Sequence, residues 1–362
     1  MQFLKKDHKK FSENGYREFI LGGDIGATNT HLGIFGVKNK SADLIISFHF
    51  KNKDLSSVYE AINFVLNLVK KDYKIKIENA SFGIAGALSP ERDNVKMTNI
   101  KWSISKKELK RKTILKKIIL MNDFEAIGYM INSLKKWQLS VVKTAKKVQK
   151  ATILVIGAGT GLGKVVLLYD KNKNSYFPVS SEAGNSDFAA QDGRDFELIN
   201  FMHQKMKYNI IYGDLLSGNG IVNIFNFVRN DKKFKETDYT REIDRSKTKP
   251  ELISKYRKID RTCNETFRIF RKIYAGFARN FALDALPFGG IYIAGGIAPK
   301  NREIFDNEFV KMFEQNSKLS HVLKKIPIYL VLSLNAGLIG AGVAGAELIK
   351  IAKNKNINKS DY

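Results

Sequence analysis

The chain has 362 residues, 44% hydrophobic and 11% aromatic; it is longer than an average domain and apolar enough to fold, which predicts two cores and excludes a disordered chain. Cys263 is the only cysteine, so no intrachain disulfide or cysteine zinc cluster can form and a reducing, cytoplasmic setting is expected; the first 18 residues lack a signal-peptide core and no apolar run is long enough to span a membrane. The excess of 61 Lys and Arg over 36 Asp and Glu, +25, would suit nucleic acid or anionic lipid, but there is no zinc-finger spacing, RNP-like strand or helix-turn-helix to read a base.

In chain order, residues 1–18 read as a polar extension, and 18–37 as two apolar strands joined by a Gly/Thr/Asn turn. A third strand follows at 45–50. Leu55, Val58, Tyr59, Ile62, Val65, Leu66 and Val69 then recur at helical spacing. A buried strand at 79–84 ends in Ala85-Gly86-Ala87, and another at 118–121 ends at Asn122-Asp123. Strand ends of this kind are where open α/β sheets gather reactive side chains. The pattern restarts at 151–156 with glycines and a strand at 164–169, which predicts a second domain built like the first. Residues 232–258 are highly charged and read as a surface insertion, and helices at 265–286 and 336–352 flank strands at 291–294 and 328–332. The densest basic runs, 5–10, 106–117 and 143–150, fall at a terminus, on a predicted helix and in a connector. A solvated Lys-rich surface is therefore expected, with no specific nucleic-acid or membrane partner.

Gly157-Ala158-Gly159-Thr160-Gly161-Leu162-Gly163 follows a strand and invites comparison with phosphate loops, because backbone amides without a Cβ can approach an anion closely. Leu162 breaks the Rossmann spacing, and Ala158 and Val165 break the Walker A pattern. Both templates also need a helix next, whereas 164–169 reads as a strand. The loop is therefore a glycine hairpin. Residues 24–30 form a second one, and two hairpins that each open an α/β unit can hold one polyphosphate, with Asp24 placed to carry a hydrated Mg²⁺. Either hairpin alone would also pass for an ordinary β-turn.

These segments together resemble the bacterial-type glucokinase family of the hexokinase and actin superfamily, over about 19–352. The first phosphate motif is Gly23-Asp24-Ile25-Gly26-Ala27-Thr28-Asn29 and the second is 157–163. The sugar-side segment is Met97-Thr98-Asn99 with Trp102, the catalytic segment Asn122-Asp123-Phe124, and the adenosine segment 289–297. The resemblance implies an α/β fold of two ribonuclease-H-like, actin-like ATPase domains, each with a five-stranded mixed sheet, around a hinged cleft. The small domain would be 19–123 plus 337–354 and the large domain 124–336. It also implies a homodimer using ATP and Mg²⁺.

Phosphoryl transfer needs mainly positioning and charge stabilisation, but an attacking hydroxyl needs a proton acceptor. The resemblance gives that role to Asp123; a lone Asp there would otherwise be a helix N-cap. Asn99, Asn122, Glu182, Asn185 and Asp214 would meet sugar hydroxyls. Gly159, Thr160 and Gly161 would meet the phosphates, and Gly295 and Gly296 would let adenosine lie against the backbone. Three departures stand out. Asn185 replaces a family histidine, Gly213 replaces a sugar-binding glutamate, and Ala27 replaces a glycine that matters only if the backbone there is left-handed. Two unmade hydrogen bonds could weaken glucose binding by roughly tenfold to several thousandfold. Two readings of that pocket stay open, Asp214 standing in for the missing carboxylate or the space taking a sugar substituted at C2; a non-catalytic sugar sensor is the remaining alternative.

Overall fold

The computed structural model describes residues 2–9, 11, 15–38, 41–97 and 100–357, with side chains to 347. It divides into two compact units: 1–134 with 176–178 and 335–362, and 135–175 with 179–334.

In the first unit, β1 (Phe3–Asp7), β2 (Glu18–Ile25), β3 (Asn29–Lys38) and β4 (Ser41–Lys51) precede α1 (Val58–Tyr73) and β5 (Asn79–Ile84). The short strands β6 (Gly86–Leu88), β7 (Asn94–Met97) and β8 (Ser103–Ser105) lead to α2 (Lys106–Lys112), β9 (Lys117–Asn122) and α3 (Asp123–Ile131). The main sheet runs β1-β4-β3-β2-β5-β9. Strands β2, β5 and β9 are parallel, and Ile25, Ile84 and Asn122 stand in register at their carboxyl ends. The helix expected from the 55–69 spacing is α1, and Val58, Ala61, Ile62, Val65, Leu66 and Val69 bury its inner face.

In the second unit, β10 (Leu139–Lys143), β11 (Ile153–Ala158), β12 (Leu162–Asp170) and β13 (Ser175–Ser181) precede α4 (Gly193–His203), α5 (Gly218–Asn230), α6 (Asp238–Arg245), α7 (Lys249–Tyr256) and α8 (Arg261–Ala285). Then come β14 (Ile291–Ala294), α9 (Asn307–Glu314), α10 (Ser320–Leu323) and β15 (Ile328–Val331), in a sheet ordered β10-β15-β14-β11-β12-β13. The final helix, α11 (Ala336–Ile357), returns to the first unit. Without β1 and β10 both sheets place an antiparallel hairpin, β2 with β3 and β11 with β12, beside two successive parallel pairings, so the repeat read from the sequence is a repeat of topology.

Two expectations need correction. The main sheet of each unit has six strands, not five. The extra strand of the first unit comes from the expected polar extension: all five residues of β1 are exposed, yet the strand pairs along β4, with Phe3 opposite Phe50. An edge strand needs backbone partners more than an apolar pattern, so sequence periodicity does not announce it. The boundary set at 123 is also displaced. Helix α3 belongs to the first unit, where Ala126 packs with Met121 and Ala344. Residues 232–258, expected as a charged surface insertion, are mostly exposed. They contain the whole of α6 and α7, whose Ile243, Ile253 and Tyr256 join the core of the second unit.

Candidate active site

The register of β2, β5 and β9 lines up three strand ends on one edge of the first sheet. At about 4.8 Å per strand, the turn after Ile25 and the residue after Asn122 stand roughly 10 Å apart. Asp24 is the penultimate residue of β2. It keeps a solvent-facing edge yet lies so deep among protein atoms that desolvation pushes its carboxyl up to about 6. The first turn of α11 crosses directly over it. A Cβ on Gly337 would lie 2.7 Å from Asp24 Oδ2 and 2.8 Å from Cγ, so only glycine lets the helix start there. That helix end favours the ionised carboxylate, opposing the desolvation.

The turn beyond Asp24 closes through a bond from Gly26 N to Asn29 O at 3.0 Å. Ala27 is not among the residues of positive φ, so the methyl group that replaces the family glycine imposes no backbone strain. At the end of β9, Asn122 takes the N-cap of α3, its Oδ1 accepting from Phe124 N at 2.8 Å while its Nδ2 donates to Gly86 O at 3.3 Å. The capping position is thus filled by Asn122. Asp123 is the first residue of the helix, with Oδ1 accepting from Phe124 N at 2.9 Å, and the N-terminal dipole favours its charged form. Asn99 lies outside the described residues.

In the second unit, parallel pairing brings Gly157 opposite Ala294 and so sets the second hairpin beside the turn at Gly295 and Gly296. Gly295 has φ +88°, and a Cβ there would lie 2.5 Å from Ala158 O. Gly159, Thr160, Gly161, Gly295 and Gly296 therefore gather at the carboxyl ends of β11 and β14. Ser217 caps α5, accepting from Gly220 N at 3.0 Å, and Gly218 N donates to Gly159 O at 2.9 Å. The positive end of a 13-residue helix thus abuts the glycine hairpin.

The two sugar-side departures are neighbours. Tyr212 N donates to Ser186 O at 3.0 Å, and a Cβ on Gly213 would lie 3.1 Å from Gly184 O. Asn185 Nδ2 donates to Glu182 Oε2 at 3.1 Å, so the residue that replaces the family histidine orients the glutamate beside it. Asp214 Oδ2 accepts from Ile211 N at 3.1 Å. Its carboxylate closes its own turn through that oxygen. A cavity of about 350 Å³ elsewhere in this unit, walled by Arg194 and Phe227, contains none of these residues, and its arginine already pairs with Glu197 and Asp231.

A glucokinase family model matches residues 21–348. The chain belongs to the glucokinase family. A glucokinase from Trichormus variabilis is 33% identical over 347 residues, spanning 91% of this chain and 99% of its own. One from Escherichia coli is 28% identical over 329 residues, spanning 90% and 96%. Among solved structures, a glucokinase from an Antarctic psychrotroph superposes with a TM-score of 0.74 at 26% identity, covering 90% of this chain and 98% of its own. A ROK family glucokinase from Streptomyces griseus, solved with glucose and AMPPNP, shares the fold with a TM-score of 0.61 at 17% identity, covering 90% of this chain and 98% of its own. The chain has the two-domain actin-like ATPase fold of these kinases.

Sequence reasoning passed over Gly337 and Gly218. Each is an isolated small residue whose role depends on what lies opposite it, and the motif spacing held no signal for either.

Proposed function

We infer that this chain transfers the terminal phosphoryl group of ATP to the 6-hydroxyl of glucose, giving glucose 6-phosphate and ADP. The observation that carries this is family membership over 21–348 with both glycine hairpins and the Asn122-Asp123 strand end retained. The hydroxyl oxygen forms the new P–O bond, the bond to the bridging oxygen of ADP breaks, and the hydroxyl proton passes to the Asp123 carboxylate. The first hairpin, Gly23 to Asn29, and the group Gly159, Thr160, Gly161, Gly295 and Gly296 would bind the nucleotide through backbone amides. Asn99, Asn122, Glu182 and Asn185 would orient the sugar, with Asp214 supporting its turn.

Mg²⁺ fits Asp24. Among the described residues there is no cluster of three or more His, Cys, Asp or Glu that could cage a metal, and Mg²⁺ characteristically takes one or two carboxylates, substrate phosphates and waters. Held there, it would offset charge on the transferring phosphate. A cytoplasmic homodimer acting in glycolysis follows from the family resemblance, and light scattering would test the dimer.

Asp123→Asn tests the assignment. It should lower kcat by about 10² to 10⁴ with little change in glucose KM or melting temperature, measured by coupled ADP release. Turnover at the wild-type rate would defeat Asp123 as the base.

A further inference from the structure

Asn52 lies just past β4 in the polar stretch Lys51-Asn52-Lys53-Asp54, where nothing in the sequence marks it. It is nevertheless 4% exposed. Its Nδ2 donates to Gly26 O at 2.7 Å and to Ala27 O at 3.0 Å, and its backbone N donates to Thr28 O at 2.9 Å. Its Oδ1 accepts from Thr30 Oγ1 at 2.8 Å. Carbonyl oxygens can only accept, so the amide has one possible orientation, and Thr30 holds it there. Apart from a helical-turn bond from Leu55 N to Asn52 O, all of these hydrogen bonds run to the first glycine turn and its flank.

The consequence follows from peptide geometry. In a trans peptide the C=O and the next N–H point in opposite directions, and there is no cis peptide here. Pulling the Gly26 and Ala27 carbonyls toward Asn52 therefore turns the Ala27 and Thr28 amides away from it. Among the described residues neither amide donates to a protein acceptor. Two successive amides aimed outward from one turn form a concavity for an anionic oxygen. The turn itself is held without a left-handed residue at Ala27, so its aim depends on an external clamp.

We propose that Asn52 is a positioning residue for phosphoryl transfer: by gripping the Gly26 and Ala27 carbonyls it directs the Ala27 and Thr28 amides at the polyphosphate of ATP. The proposal rests on the kinase reading above. In this role Asn52 acts through the turn and not on a substrate itself. Its effect reaches only the phosphate end of the nucleotide, which separates it from a purely structural role.

The test is titration calorimetry with ATP and with AMP, alongside glucose kinetics, on wild type, Asn52→Ala and Thr30→Val. Asn52→Ala should weaken ATP binding about tenfold while AMP affinity and glucose KM stay within about twofold. Thr30→Val, which frees the amide to rotate but keeps the buried volume, should shift the ATP-to-AMP ratio the same way by about threefold. Equal weakening of ATP and AMP, or unchanged ATP affinity, overturns the proposal. If Asn52→Ala does not fold, an unchanged ratio in Thr30→Val overturns it alone. A wild type that phosphorylates no glucose defeats the kinase reading; an active wild type with unaltered variants defeats only the role of Asn52.

Discussion

Replacing Gly337 with alanine sets two effects against each other, and the structure says which should prevail where. Alanine favours a helix over glycine by about 1 kcal/mol, so stability alone predicts a neutral or slightly raised melting temperature. The new Cβ, however, would stand 2.7 Å from Asp24 Oδ2 and 3.2 Å from Oδ1. A comfortable non-bonded separation is about 3.5 Å, which leaves the carboxylate most of an ångström short of room. Asp24 is a short side chain on a central strand, with β3 on one side and β5 on the other, so the carboxyl group itself must yield. A misplacement of about 1 Å in a catalytic arrangement can cost about a hundredfold. Gly337→Ala should therefore lower kcat/KM for ATP by about 10- to 100-fold and raise the Mg²⁺ concentration for half-maximal rate, while the melting temperature stays close to wild type. Initial rates across a Mg²⁺ series, with calorimetric melting of the same samples, measure both. A wild-type Mg²⁺ midpoint together with wild-type kcat would refute the idea that this glycine exists to seat Asp24.

Two further substitutions probe the metal-side and the sugar-side residues. The Asp24 carboxyl is raised to about 6 from 3.8 by desolvation, so the folded state holds this proton more tightly than the unfolded one, and stability drains away as pH rises from about 4 through 6. In metal-free buffer, Asp24→Asn should melt higher than wild type at pH 8, with the gap narrowing toward pH 4; parallel melting curves at all pH values would contradict the assigned cause. On the sugar side, Asn185→His restores the family's residue next to Glu182 and should lower glucose KM by up to about tenfold at unchanged KM for ATP. An unchanged or higher glucose KM would mean that Asn185 already supplies what the histidine does.

The glycine hairpins, the helical spacing of α1 and the strand ending at Asn122-Asp123 were legible because each is a local pattern: a turn of small residues, a period of 3.6, a buried run that stops at polar groups. What the chain by itself determined was the set of parts and their order, including the second half that repeats the first. Where those parts needed a distant partner, the sequence was silent. Strand β1 exists because β4 offers it an unpaired edge, and α6 and α7 carry their few buried residues, Ile243, Ile253 and Tyr256, under a coat of charge that hides the amphipathic pattern. Tertiary structure alone decided that Gly337, at the far end of the chain, sits over Asp24, and that Asn52, in an unremarkable polar turn, grips the carbonyls of the phosphate hairpin. A close approach or a backbone clamp is a relation between two places in space. Composition and spacing describe one stretch of chain at a time, so these contacts appear only once the sheet has set its strands side by side.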